Sequence, residues 1–135
     1  VNRQRGMSSL ALVLLLLLLG SLMLQGQNQQ QRALHRRVAV ETQALREQAS
    51  AHSALQWAKA QRWQANQPLQ CAEQTAQQWR SCLRIFPDRS LLLIAASRSM
   101  SLWQSGEISE GKVRFSPRGW SDFCPLTEVS LCQIR

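Results

Sequence analysis

The chain has 135 residues, a formal net charge of +8, four cysteines and two histidines. Once an apolar span is subtracted, that length leaves room for one small domain and a connecting helix, not for two domains. The basic excess is uneven: residues 1–66 carry a net +6 and residues 67–135 only +2. The charge therefore suits contact with anionic headgroups near the span and does not call for a nucleic-acid-binding head, although DNA binding by the head stays open.

Two arginines and a glycine in Arg3-Gln4-Arg5-Gly6 stand directly before Met7-Ser8-Ser9 and an uncharged run from Leu10 to Leu24 that holds ten leucines. As helix, Met7 to Leu24 would span about 27 Å, close to the ~30 Å hydrocarbon core of a bilayer. Helix is the form that satisfies every backbone polar group of a single span. A cleaved secretory signal needs a small-x-small exit, and none is present: Gly26 has Leu24 two residues before it, and Gly20 has Leu18. No cysteine follows the leucines to take a lipid. Two readings remain, a signal anchor that stays whole and a processing site ahead of the apolar run, between Gly6 and Met7.

The second arrangement resembles the type IV prepilins. The leader Arg-Gln-Arg-Gly followed by Met-Ser-Ser-Leu-Ala-Leu-Val-Leu looks like a site read by an aspartic prepilin peptidase at the cytoplasmic face. The resemblance implies cleavage after Gly6 and N-methylation of the new terminus, Met7. In major pilins the fifth residue after the cut is glutamate, and here it is Ala11. That carboxylate pairs with the terminal amine of a neighbouring subunit, since a charge in lipid-like surroundings needs a partner. A tip subunit has no such neighbour above it. The departure therefore points to a minor subunit of the PilX or GspK kind.

Gln25 to Gln31 is almost entirely glutamine, asparagine and glycine, and only Gly26 weakens helix there. Beyond it Leu34, Val38, Leu45, Ala49, His52 and Leu55 recur at helical intervals, with Trp57, Ala58 and Trp63 extending the apolar side until Gln67-Pro68. The pattern predicts one helix from 7 to about 66, transmembrane over 7–26 and an amphipathic stalk over 27–66. His35 stands among arginines as a solvated side chain, and His52 reads as half-buried packing. Neither has an acid or a nucleophile at catalytic spacing. With no phosphate loop, paired carboxylates or metal cluster, neither an enzyme nor a cofactor is expected.

The rest, 67–135, reads as a β-rich head. Arg80 to Phe86 alternates, Pro87-Asp88-Arg89 turns, and Ser90 to Ala96 is an apolar run fit for a central strand. Leu102 to Ile108 and Lys112 to Ser116 form a hairpin through Ser109-Glu110-Gly111. Four antiparallel strands on the C-terminal half of the stalk would bury Leu92, Ile94, Leu102, Val113 and Phe115. Cys71, Cys82, Cys124 and Cys132 all lie beyond the span, where an even set reads as disulfides. Their spacing favours Cys71–Cys82 and Cys124–Cys132, while three connectivities stay open. A zinc site is less suited, with no CxxC pair and the histidines elsewhere. The disulfides place the head in the periplasm and the N-terminus in the cytoplasm, a question the positive charges on both sides of the span leave undecided.

The tail, Ser116-Pro117-Arg118-Gly119-Trp120-Ser121-Asp122-Phe123-Cys124-Pro125, and the whole layout resemble the enterobacterial YgdB-type minor pilins, the prepilin-peptidase-dependent-like proteins. Trp120 and Phe123 are expected to plug the end of the small core; the alternative is a paired loop that contacts subunits or ligands. The fold class is then α+β and pilin-like, a long N-terminal helix on a small antiparallel sheet stapled by disulfides, with residues 1–6 as leader. The implied function is that of a minor pilin or pseudopilin, which initiates or caps a type IV pilus or type II secretion pseudopilus from the inner membrane. Its implied partners are other minor pilins or pseudopilins, the major pilin and the prepilin peptidase. The alternative is a signal-anchored periplasmic binding or adaptor domain that never enters a filament.

Overall fold

The computed structural model describes the backbone of residues 2–134 and the side chains of residues 6–134. One helix, α1 (Asn2–Lys59), is followed by five strands, β1 (Leu69–Gln74), β2 (Trp79–Ile85), β3 (Ser90–Ser97), β4 (Met100–Ser109) and β5 (Lys112–Ser121), and a short 3-10 turn (Val129–Cys132). The chain divides into two compact units, residues 1–43 and 44–135. The first is helical throughout its described length, Gly26 included, and every side chain described in it is exposed. Leucine, alanine, glutamine and arginine, all strong helix formers, outweigh the isolated glycines in it.

The second unit contains the end of α1 and the sheet. The helix stops at Lys59, seven residues before the expected end, because side chains take over its last carbonyls. The Trp63 indole N–H donates to Ala58 O at 2.8 Å and the Gln61 amide to Trp57 O at 3.1 Å. The Gln61 backbone N–H donates to Ala58 O, a tightening typical of a helix end. The Gln70 side chain then brackets the connection, accepting from Gln64 N at 2.8 Å and donating to Gln64 O at 2.6 Å.

The sheet is an antiparallel meander in the order β1-β2-β3-β4-β5. Its four connections each contain a residue with positive φ: Gln78, Arg89, Arg98 and the pair Glu110-Gly111. Only the last uses glycine at such an angle; Pro87-Asp88 also marks the β2–β3 turn by composition, while the turns at Gln78 and Arg98 carry no such residues. β1 was not expected; three of its six residues are glutamine or glutamate, and half its residues are exposed. β5 runs five residues further than expected, across a wide bulge. Gly106 pairs with Phe115 and Gln104 with Trp120, leaving 116–119 opposite Ser105 alone. Two polar side chains hold the bulge: Gln104 donates to Ser116 O at 2.6 Å and Ser105 to Gly119 O at 3.1 Å.

The core has two layers. Against the helix, Leu83, Leu91, Leu93, Ala95 and Leu102 pack with Ala51, Ala54, Leu55 and Ala58. The three alanines, all fully buried, let the helix lie close to the sheet. Three polar groups in this layer pair with one another: Ser50 and Ser97 share a hydrogen bond at 2.7 Å, and the Trp79 indole N–H donates to Ser50 at 3.2 Å, while the buried Ser81 hydroxyl has no partner. Val113 and Phe115 flank this layer, as expected. Leu92 and Ile94 are buried too, but on the opposite face of the sheet with Cys132. β3 is covered on both sides, so its apolar run carried no record of which residues would face the helix.

The stalk pattern also needs correction. The face of α1 that enters the core is Ala51, Ala54, Leu55 and Ala58, with Trp57 and Trp63 packed against it; of the expected apolar side this takes Leu55, Trp57, Ala58 and Trp63, but not Leu34, Val38, Leu45 or Ala49. In the first unit Leu34 and Val38 are more than half exposed, and so is Leu45 in the second.

Candidate processing and assembly site

Gly6 and Met7 are helical and exposed, Met7 at 74%. A side chain added at Gly6 would meet nothing within 4 Å, so the chain's own packing does not require glycine there. The Gly6 carbonyl, part of the Gly6–Met7 peptide bond, accepts a hydrogen bond from the Ser9 hydroxyl at 3.0 Å. A helical carbonyl points along the axis into the next turn, so attack on it requires that turn to open. Glycine makes opening easier, being about 1 kcal/mol less favourable than alanine inside a helix. The side chains of Arg3 and Arg5 lie outside the described residues. Ala11 is an exposed helical residue.

From Leu10 to Leu24 every large apolar side chain is at least half exposed. The helix contains an 18-residue window long and apolar enough to cross a membrane, none of it buried within the molecule. A surface of that kind in water would be costly, at roughly 25 cal/mol per Å² of apolar area.

In the head, the cysteines form the two local pairs, Cys71–Cys82 and Cys124–Cys132. Cys71 and Cys82 are direct cross-strand neighbours of β1 and β2. Cys132 is buried against Leu92 and Ile94, and its carbonyl accepts the Trp103 indole N–H at 3.0 Å. The C-terminal segment is thereby held on the face of the sheet away from the helix.

Trp120 and Phe123 do not plug the core: they are 50% and 67% exposed. Beyond the bulge Trp120 pairs with Gln104, and its ring meets His52 edge-on at 5.1 Å. His52 is half-buried and His35 exposed. Among the described residues no group of three or more His, Cys, Asp and Glu is placed to hold a metal ion. The Asp88 carboxyl is held below its ordinary value by hydrogen bonds from the Ser90 hydroxyl and backbone N–H.

Sequence reasoning missed one polar feature of the head. Glu73, Arg80, Ala96 and Ser101 are successive cross-strand partners on β1 to β4, forming a row on the outer face of the sheet. The adjacent row is Cys71, Cys82, Ile94 and Trp103. Only the strand register brings these residues together, and β1 had no legible strand signal.

No curated protein and no solved structure matches the chain. A family model, described as a protein of unknown function (DUF2509), matches residues 15–132, from within the apolar run to the last disulfide cysteine. The Gly6–Met7 junction lies before the matched region. The chain belongs to this DUF2509 family.

Proposed function

We propose that this chain is a minor pilin or pseudopilin, held in the inner membrane by α1 with its head in the periplasm. From there it joins a short complex that initiates or caps a type IV pilus or type II secretion pseudopilus. The observation that carries this reading is the exposed apolar surface of α1. The core takes up one face of the helix near its end, while Leu10 to Leu24, Leu34, Val38 and Leu45 remain exposed. Such a helix suits two successive environments: acyl chains while the subunit waits in the bilayer, and neighbouring helices once it enters a filament. The paired cysteines favour an oxidising compartment for the head. The Arg-x-Arg-Gly leader before Met7 supports processing, and Ala11 supports a place at the tip, beside other minor pilins and above the major pilin.

Processing separates this reading from a signal-anchored adaptor with the same span and head. Mass spectrometry of the protein from membranes should find an N-methylated Met7 as its first residue. Gly6→Glu should retain the leader and lose pilus or secretion function. An unprocessed N-terminus in the wild type, or full function in Gly6→Glu, defeats the proposal. Ala11→Glu tests the tip position, because the introduced carboxylate would cost roughly a few kcal/mol in the bilayer and meet no amine from above. It should leave filament number unchanged or lower it; enrichment of the variant in sheared filaments would place the subunit in the shaft.

A further inference from the structure

The outer face of the sheet carries a groove of about 850 Å³, within the ~300–1,000 Å³ of small-molecule sites. Its floor includes the row Glu73, Arg80, Ala96 and Ser101. The row spans three interstrand spacings of about 4.8 Å, roughly 14 Å in all. The depression follows from residue size: Ala96 and Ser101 are small, while Ile94 and Trp103 stand in the next row. Residues 132–134 of the C-terminal segment form the opposite wall.

We propose that this groove binds an acidic saccharide, with a sugar ring against Trp103 and a carboxylate paired to Arg98. Trp103 lines the groove, and its indole N–H is already given to Cys132 O; it therefore offers the ligand apolar ring surface, not a donor. Elsewhere along the groove Gln74, Thr75 and Gln78, at the β1–β2 end, and Gln133 supply amides and a hydroxyl, groups that both donate and accept and so match a ligand rich in hydroxyls. The Glu73–Arg80 pair, 3.0 Å apart, leaves little net charge on the floor. Arg98 lies in the β3–β4 turn at the end of the groove and has no ion-pair partner among the described residues. One unpaired cation suits one carboxylate. A nucleic acid would need several cations along its phosphates and would meet the Glu73 carboxylate.

The polar row is not needed to hold the fold. An exposed ion pair such as Glu73–Arg80, with both side chains about half exposed, contributes ~0–1 kcal/mol. The two disulfides preorganise the groove instead. Cys71–Cys82 lies in the row beside the floor, and Cys124–Cys132 ties down the wall that receives the Trp103 hydrogen bond.

The test uses the full chain in lipid nanodiscs, free of sugar-based detergent. The chain is applied to an immobilised panel of oligosaccharides bearing uronic or sialic acids, their carboxyl-reduced counterparts and neutral oligosaccharides. At least one acidic saccharide should be retained, and its carboxyl-reduced form should bind about tenfold or more weakly, as expected for a charge-assisted contact. Arg98→Gln, at an exposed turn, should weaken binding to the same degree without changing the circular dichroism spectrum. Ala96→Leu, which fills the depression, should abolish it. The proposal is overturned if no acidic saccharide binds, if reduced forms bind equally well, or if Arg98→Gln leaves binding unchanged. Tighter binding of an oligothymidylate than of any saccharide also overturns it.

Discussion

Removing the two disulfides in turn should produce equal losses of global stability but unequal local effects. The residues of each pair are 11 and 8 positions apart. The loop-closure relation gives about 2.8 and about 2.5 kcal/mol at 25 °C, a difference too small to separate them. Their native surroundings differ more. With both replaced by serine, residues 71 and 82 stay neighbours, because the β1–β2 ladder holds them through six register pairs. The C-terminal segment has no ladder; its described backbone hydrogen bonding includes Leu131 N to Glu128 O at 3.1 Å, and Cys132 is tied to Trp103 by one indole bond. Cys124→Ser/Cys132→Ser should therefore release the segment and uncover Leu92 and Ile94, whereas Cys71→Ser/Cys82→Ser should leave it docked. Urea unfolding of the full chain in micelles, followed by tryptophan fluorescence, reads the global losses. Cleavage by a glutamate-specific protease at the exposed Glu128 reads the local one. The reasoning fails if Glu128 cleavage is the same in both variants, or if loss of Cys71–Cys82 costs over about 1 kcal/mol more than the other.

Gly119→Ala should destabilise the head by about 1–3 kcal/mol in the same urea assay, because the new Cβ would collide with the Ser105 hydroxyl and lie 2.8 Å from Ser116 Cβ; no change would mean the bulge adapts freely. Ser81→Ala should leave stability unchanged or raise it by up to about 1 kcal/mol, since the buried Ser81 hydroxyl has no hydrogen-bond partner, and a loss above that would reveal a bound water. Asp88 has a depressed pKa in the folded state, so its hydrogen bonds from Ser90 contribute stability above its unfolded value near 4, lost as pH falls through the lower folded value. Asp88→Asn should flatten that part of the stability profile below pH ~4, and an unaltered acid limb in thermal melts would contradict it.

Much of this protein is legible from local chemistry. The leucine run specifies a helix, since a long uncharged apolar segment has one way to satisfy its backbone in lipid. The Pro87-Asp88-Arg89 turn and the Glu110-Gly111 hairpin are marked by proline, aspartate and glycine, residues common in turns, although Arg89 and Glu110 themselves take positive φ. Short loops favoured the local disulfide pairing without deciding it, and the structure forms that pairing. What the tertiary structure decided is which side each residue faces. Leu91 and Leu93 turn to the helix while Leu92 and Ile94 turn away, because a strand covered on both faces loses the alternation that would mark them. β1 forms although half of its residues are polar, since β2 supplies the pairing edge and Cys71–Cys82 the staple. The helix meets the sheet through three alanines and Leu55, set by how closely the two can approach, and not through Leu34, Val38 and Leu45, whose spacing was more conspicuous. The row from Glu73 to Ser101 exists only across four strands. A groove of that kind is a property of register, and register is set by contacts between segments distant in the chain.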